Sequence, residues 1–95
     1  MIRAAKKDDN HHEVEKAFQD LGYITQDLSQ LKNACDLLAV KGKRVFVVEI
    51  KDGKKPPSAR KLTEGEEKFA LKWGAYWALI TSVNDVIELD RESAL

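Results

Sequence analysis

A Gly42-Lys43 pair between two aliphatic runs is the sequence feature that most constrains how this chain folds. The runs, Cys35 to Lys41 and Arg44 to Lys51, are rich in the β-branched and aliphatic residues that favour strands. Because glycine readily adopts a positive φ, the pair suits a two-residue type II′ turn. The sequence therefore predicts a β-hairpin that is closed at Gly42 and Lys43.

This turn also determines which side chains face each other across the hairpin. Counting outward places Val40 opposite Val45 and Asp36 directly opposite Glu49. A four-residue loop from Lys41 to Arg44 gives the same register, whereas a three-residue loop does not. Directly opposed side chains have Cβ atoms about 4.5 to 5.5 Å apart, where like charges destabilise the pair. The sequence thus predicts two crowded carboxylates whose repulsion something must offset.

Lys51 is predicted to join these carboxylates, because it lies two residues beyond Glu49 and so on the same face of the strand. Two hard oxygen donors at this spacing suit Mg²⁺ or Mn²⁺, and a nearby lysine can orient or activate water. The alternative is a salt bridge from Lys51 to Asp36 or Glu49 at the frayed end of a hairpin. The spacing alone leaves both interpretations open.

Before the hairpin, the pattern predicts a helix and a short strand. An apolar stripe predicts a helix from about His11 to Leu21, with Asn10 as its N-cap and Gly22 as the residue that ends it. The alternation from Tyr23 to Leu28 predicts a strand.

After the hairpin, the polar stretch Asp52 to Lys61 predicts one long loop. Apolar spacing then predicts a helix from Thr63 to Trp73, with Thr63 as its cap. Tyr76 to Thr81 is apolar on both faces and predicts a covered strand, and Ser82 begins a final short helix. The order helix, three strands, helix, strand, helix predicts an α/β fold in which helices flank a mixed sheet.

Composition bounds the class of protein. The 95 residues are 43% hydrophobic and 34% charged, as expected for one soluble globular domain over residues 1–95. The single cysteine, Cys35, excludes a disulfide framework, favours a reducing compartment and is predicted to be a buried structural thiol. The longest apolar run, Ala75 to Ile80, is far shorter than the roughly 18 residues of a membrane helix. We expect a cytoplasmic protein with no membrane partner.

Charge is unevenly distributed although the net charge is zero. Residues 41–61 carry eight basic and two acidic side chains, and both flanking segments are net acidic. This basic middle third could face the phosphates of a nucleic acid, or it could be a solvated lysine-rich surface.

Two further carboxylate positions attract attention. Glu66 falls on the apolar stripe of the second predicted helix, where a carboxylate needs a partner or a ligand. Alternatively, Glu66 simply complements the dipole of the first helical turn and points into solvent. On the first helix, Glu13 and Glu15 flank the apolar stripe on opposite sides, and periodicity does not choose between them. Glu13 also suits a capping box begun by Asn10.

Other residues have simpler interpretations. His11 and His12 are adjacent and point about 100° apart on a helix, so we expect solvated first-turn residues rather than joint metal ligands. Three aromatic residues are expected to pack in the core and between helix and sheet rather than to stack on bases: Trp73, Tyr76 and Trp77. The chain has no Gly-rich phosphate loop, no G-x-S-x-G and no HExxH, which argues against a nucleotide cofactor, a serine hydrolase and a zincin.

The acids and Lys51 lie in an order that resembles the PD-(D/E)XK nuclease superfamily, most closely its compact VRR-NUC type. The resemblance covers nearly the whole chain, and the run PPSARKLT after the EIK triplet is its specific part. The matching segments are Asn10-His11-His12-Glu13, Ala34-Cys35-Asp36-Leu37-Leu38, Val48-Glu49-Ile50-Lys51, Pro57-Ser58-Ala59-Arg60-Lys61-Leu62-Thr63 and the strand that ends at Ile80-Thr81-Ser82. Two positions depart from the family, which usually has Pro at Cys35 and Gln at Glu66.

The resemblance implies a restriction-endonuclease-like core with one metal-dependent site. In this family pattern, Asp36 and Glu49 ligate Mg²⁺ or Mn²⁺ together with the Ile50 carbonyl. Lys51 positions or activates the water that attacks the phosphodiester.

The same pattern assigns residues outside the hairpin. Glu13, rather than Glu15, corresponds to the helix-borne acid that binds the metal directly or through water. Glu66 lies beside the site with an open role, because it adds a negative charge that the family lacks. Four basic residues are expected to contact flanking phosphates: Lys54, Lys55, Arg60 and Lys61.

The implied activity is that of a divalent-metal-dependent, structure-selective DNA endonuclease. Stand-alone members of this type resemble Holliday-junction resolvases, so we expect a homodimer that resolves four-way junctions and so serves DNA repair. The alternatives are a flap or nicking nuclease of the same fold and a non-catalytic DNA-binding subunit. A small structural α/β domain whose acids form surface ion pairs is a further alternative.

Overall fold

The computed structural model describes residues 7–94, which form three α-helices around a four-stranded sheet. The elements are α1 (His11–Asp20), β1 (Ile24–Asp27), β2 (Leu37–Lys41), β3 (Arg44–Ile50), α2 (Glu64–Trp73), β4 (Trp77–Ile80) and α3 (Val83–Ser93). This order confirms the predicted α/β class and its alternation of elements. The predicted loop over residues 52–61 is not wholly irregular, because Pro57–Arg60 forms a short 3₁₀ helix.

The strands lie in the order β1-β2-β3-β4. The first two pairings are antiparallel and β3 pairs with β4 in parallel, so the sheet is mixed as predicted. The hairpin register is also confirmed, since Lys41 pairs with Arg44 and Val40 with Val45. Gly42 has a φ of 61°, the positive value that the tight turn requires.

The apolar core lies on one face of the sheet, under α1 and α3. Its fully buried large side chains are Val14, Phe18, Leu37, Val48, Ile50 and Val86. Because side chains alternate along β3, Glu49 points to the opposite face, which α2 approaches. The sheet therefore separates the main core from the surface that carries the predicted site.

The face under α2 is less covered than the sequence predicts. No residue of α2 is buried, and the apolar stripe of that helix remains partly open to solvent. Trp73 is 38% exposed, Tyr76 is 55% exposed and Leu79 of β4 is 38% exposed. The prediction of a covered fourth strand is therefore wrong on this face, and so is the prediction of packed positions for Trp73 and Tyr76, whereas Trp77 is half-buried. One short helix does not cover this face.

Within residues 7–94, no helix is long and apolar enough to cross a membrane.

Candidate functional site

Asp36 is held against β3 by two backbone hydrogen bonds. Its own N–H donates to the carbonyl of Val48 at 3.0 Å, and its Oδ2 accepts from the N–H of Ile50 at 2.8 Å. The paired ladder ends one residue later, at Leu37 and Val48, so Asp36 reaches Glu49 through its side chain and not as a ladder pair. The two carboxylates nonetheless meet, as the hairpin register predicts.

Glu49 is the most deeply placed acid of this group, at 5% exposure. Burial raises its pKa, and hydrogen bonds with Asp36 and Glu66 together with their negative charges raise it further, to about 10. Glu49 therefore holds a proton at neutral pH. Because the proton makes Glu49 neutral, it reduces the repulsion between Asp36 and Glu49 that the sequence predicts.

The positive charge of Lys51 also offsets this repulsion, and Lys51 is paired with a residue outside the hairpin. Its Nζ donates to Glu66 Oε1 at 2.9 Å and to Oε2 at 3.1 Å. Burial alone would lower the pKa of Lys51, but the hydrogen bond and charge of Glu66 outweigh burial and raise it. The ion pair that Lys51 forms is thus with Glu66, and not with Asp36 or Glu49 as the simpler interpretation of the hairpin supposes.

Glu66 has two roles at once. It is the third residue of α2 and completes a capping box, because Thr63 N–H donates to its Oε1 at 2.8 Å and its own N–H donates to Thr63 Oγ1 at 3.1 Å. Burial would raise its pKa, but hydrogen bonds from Glu49, the Thr63 backbone and Lys51 lower it. Glu66 therefore has the partner that the first interpretation requires and lies in the first helical turn as the second supposes, but it does not escape to solvent.

Two of these acids, Glu49 and Glu66, line an open pocket of about 250 Å³ between the end of β3 and the start of α2. Glu49 and Glu66 form its acidic wall, and Phe69 and Ala34 border it. Glu49 contacts the carboxylates of both Asp36 and Glu66, and the Ile50 N–H donates to Asp36. Carboxylate oxygen donors suit Mg²⁺ or Mn²⁺. Within residues 7–94, the trio whose ligand atoms all lie within 4.8 Å of one another is His11, Glu15 and Asp27, and not these three acids.

Glu13 is not brought into this pocket. It is exposed on α1 and lines a separate groove with Asp52, Lys54 and Arg60. The geometry thus unites Asp36, Glu49 and Glu66 but leaves the helix-borne acid beyond their pocket. Glu15, the other candidate on α1, instead accepts a hydrogen bond from Thr25 at 2.9 Å.

Asn10 precedes α1 as predicted but makes no capping hydrogen bond with its side chain. Its Nδ2 instead donates to the carbonyls of Lys51 and Thr81, each at 3.1 Å. In addition, Lys51 N–H donates to Ile80 and Gly53 N–H donates to Thr81, both at 3.0 Å. These bonds fix the end of β3, and with it the backbone of Lys51.

The predicted phosphate-binding residues lie on the segment that follows. Lys54 and Lys61 are exposed, and Lys54 and Arg60 line the groove of about 540 Å³ that also holds Glu13. Arg60 Nε donates to the carbonyl of Lys55 at 2.8 Å, while Lys55 Nζ lies 3.7 Å from Asp8. These four cations are therefore not joined into one cluster, and the groove that Lys54 and Arg60 line shares no residue with the acidic pocket.

Two smaller predictions differ in outcome. Cys35 is buried at 3% exposure, and its Sγ donates to the carbonyl of Leu37, which confirms a structural thiol. His11 is buried at 3% exposure, so the prediction of a solvated first-turn residue is wrong for it, although His12 is exposed. Spacing could not reveal this, because the strand residue Asp27 that lies against His11 is distant in sequence.

Comparison with family models, with curated proteins and with solved structures finds no match to this chain.

Proposed function

We propose that this chain is a divalent-metal-dependent endonuclease of the PD-(D/E)XK superfamily, of the VRR-NUC type. The observation that supports the proposal most is the convergence of Asp36, Glu49 and Glu66 with Lys51 at the end of β3. The element order and the mixed sheet are compatible with the restriction-endonuclease-like core that the resemblance implies.

The donor set fits a dication on a physical ground. Glu49 is buried and contacts two partly exposed carboxylates, Asp36 and Glu66, so burial first and their negative charges second keep a proton on it. A divalent ion can replace that proton and neutralise the acids more fully. Asp36, Glu49 and the Ile50 carbonyl would hold the ion, and the ion would supply Lewis-acid polarisation of a phosphodiester.

Lys51 would act on the attacking water or on the phosphate. Its ammonium is a donor only, so it can orient a water or stabilise negative charge that develops on the phosphate oxygens. The backbone hydrogen bond from Lys51 to Ile80 fixes the position from which the side chain reaches. Glu66 holds the ammonium in the pocket and so keeps it near the other acids.

The DNA would lie across the basic segment after β3. Lys54, Lys55, Arg60 and Lys61 are close in sequence to Lys51, so phosphate contacts there would bring the backbone to the acidic pocket. Binding of this kind depends on salt and is largely independent of sequence. We propose that the enzyme is cytoplasmic, the compartment that a reduced Cys35 favours.

The preferred substrate in this proposal is a four-way junction, cut by a homodimer. A junction offers two equivalent strands, which suits two sites related by a two-fold axis. The uncovered apolar side chains on α2 and β4, among them Leu71 at 84% exposure, offer one surface for such a dimer.

The test is cleavage of labelled junction, flap, duplex and single-stranded DNA with Mn²⁺. We expect paired, symmetric nicks on the junction, and losses of about 100-fold or more for Asp36→Asn and Lys51→Ala. Asn can still accept the hydrogen bond of Ile50, so Asp36→Asn should fold. Asp20→Asn and Lys16→Ala, which change an exposed ion pair on α1, are the matched controls.

Other outcomes separate the alternatives. Cleavage of flaps or nicked duplex, but not junctions, would identify a different structure-selective nuclease. Metal-independent DNA binding without product, unchanged in Lys51→Ala, would identify a non-catalytic subunit and refute the proposed activity. Neither cleavage nor DNA binding would leave only a structural domain.

The oligomeric state is measured separately, by light scattering coupled to gel filtration. Leu71→Lys should shift the protein toward monomer, whereas Ile24→Lys, a change at a residue of β1 that is 78% exposed, should not. A wild-type monomer at all concentrations tested would contradict the dimer while leaving the nuclease proposal intact.

A further inference from the structure

His11, Glu15 and Asp27 form a second cluster of potential ligands, on the face of the sheet opposite Glu49. His11 Nε2 lies 3.8 Å from Glu15 Oε1 and 3.6 Å from Asp27 Oδ2. One ligand atom from each residue can be chosen so that all three lie within 4.8 Å of one another. Residues four apart on a helix share a face, which explains how α1 presents His11 and Glu15 together to β1.

His11 is an unexplained feature of the fold. Its side chain is buried, and among residues 7–94 its Nε2 has no hydrogen-bond partner. The two carboxylate oxygens nearby are too distant to accept a proton from it. A buried ring nitrogen without a partner is unfavourable, so this nitrogen points to a ligand between the three groups.

The carboxylates are oriented by neighbours that leave one oxygen of each toward His11. Thr25 Oγ1 donates to Glu15 Oε2 at 2.9 Å, which leaves Oε1 on the side of the imidazole. Ser29 donates to Asp27 Oδ1 from its N–H at 2.8 Å and from its hydroxyl at 2.6 Å, which leaves Oδ2 on that side. Such second contacts are what orient the ligands of metal sites.

From this geometry we propose that His11, Glu15 and Asp27 bind Zn²⁺. Donor atoms at about 2.0 to 2.1 Å from a tetrahedral ion are about 3.4 Å apart, so the distances of 3.8 and 3.6 Å from His11 need only small adjustments, and the three atoms together must close from within 4.8 Å. One imidazole and two carboxylates suit zinc better than Mg²⁺, which prefers oxygen alone. The ion joins the first two turns of α1 to the end of β1, and water completes its coordination.

Lys7 is the competitor that the site already contains. Its ammonium contacts Asp27 Oδ2, the same oxygen that faces His11, and its side chain is 45% exposed. Zinc must displace this ammonium to use that oxygen. Removing the lysine charge should therefore strengthen zinc binding, which a purely structural ion pair would not predict.

The test is calorimetric titration of Zn²⁺ into the full chain without a histidine tag. We expect one saturable site that is weakened about tenfold or more in His11→Gln and in Glu15→Gln. Lys7→Gln should bind zinc more tightly. His12→Gln, a change at the exposed neighbouring histidine, should bind as the wild type does.

The acidic pocket around Glu49 could also bind zinc, so Asp36→Asn is titrated in parallel. If Asp36→Asn still binds zinc, the zinc site is distinct from the proposed nuclease centre. Loss of binding in Asp36→Asn with full binding in His11→Gln would overturn the proposal, as would the absence of saturable binding. If His11→Gln fails to fold by circular dichroism, the partly exposed Glu15→Gln and Lys7→Gln decide the outcome.

Discussion

Lys51 Nζ lies 2.9 Å from Glu66 Oε1, so the residue that follows β3 is joined to the first turn of α2. The same Glu66 oxygen accepts from the Thr63 backbone. One carboxylate therefore links the start of a helix to the ammonium of Lys51. Substitutions at Glu66 can separate its role in capping α2 from its ion pair with Lys51.

Glu66→Ala should destabilise the fold by about 1 kcal/mol, because it removes half of the capping box. Glu66→Gln keeps a side chain that can accept the Thr63 hydrogen bond and should cost less. Thermal denaturation of both variants, with exposed Glu67→Ala as control, measures the difference. Equal losses for Ala and Gln would show that charge, and not capping, is the main contribution of Glu66.

The raised pKa of Glu49 predicts that the metal-free protein becomes less stable as pH rises. Burial first, and then Asp36 and Glu66, raise its pKa from 4.5 to about 10, while Lys51 pairs with Glu66 and leaves the proton on Glu49. The folded state therefore keeps a proton that the unfolded chain releases, so this contribution is complete below pH 4.5 and is lost as pH rises toward about 10.

Urea denaturation in the presence of a chelator, from mildly acidic to mildly alkaline buffer, measures this slope. Glu49→Gln has no proton to release and should flatten it, whereas exposed Glu67→Gln should retain it. Saturating Mn²⁺ should also flatten or reverse the wild-type slope, because the ion binds the ionised acid. A wild-type protein that becomes more stable as pH rises without metal would contradict the assignment of the proton to Glu49.

Asn10→Ala should be among the most destabilising polar substitutions in the chain. Its amide serves two carbonyls at the ends of β3 and β4 and is only 5% exposed. Removing it takes one donor from each carbonyl, although that of Thr81 keeps the N–H of Gly53, at a cost of about 1 to 3 kcal/mol. Asn84→Ala, a change at an exposed asparagine of α3, should shift the urea midpoint little. Equal effects at the two sites would show that this bridge contributes no stability.

Gly53→Ala and Gly65→Ala should have opposite effects. A Cβ at Gly53 would lie 2.8 Å from the carbonyl oxygen of Thr81, so either β4 or the segment after Lys51 must shift. At Gly65 of α2 the nearest atom is 4.0 Å away, and alanine should stabilise the helix by up to about 1 kcal/mol. Urea midpoints that move in the same direction would contradict the packing at Gly53.

The parts of the fold that sequence predicts are those set by local rules. The hairpin register follows from a two-residue turn and a period of two, and both are confirmed. Gly22, with a φ of 95°, ends α1 as expected, and Thr63 and Ser82 cap their helices. Each of these features depends on residues within a few positions of one another, so one sequence is enough to predict them.

The features that sequence missed depend on contacts between distant segments. Asn10 looks like a helix cap, but its amide finds Lys51 and Thr81 instead. His11 looks solvated until β1 brings Asp27 beside it. Lys51 has two acids in its own hairpin, yet its partner comes from α2. Local pattern identifies these residues as polar and well placed, but it cannot choose their partners.

The two-residue turn at Gly42 and Lys43 bears on the order in which the chain assembles. Closing so short a loop costs little chain entropy, so Asp36 and Glu49 can come into contact early in folding. Glu66 reaches them only when a much longer segment has folded. Mutual repulsion of these acids would then oppose the hairpin before the helix that steadies Lys51 has docked. Acidic conditions, which neutralise both carboxylates, should therefore accelerate the earliest step of folding.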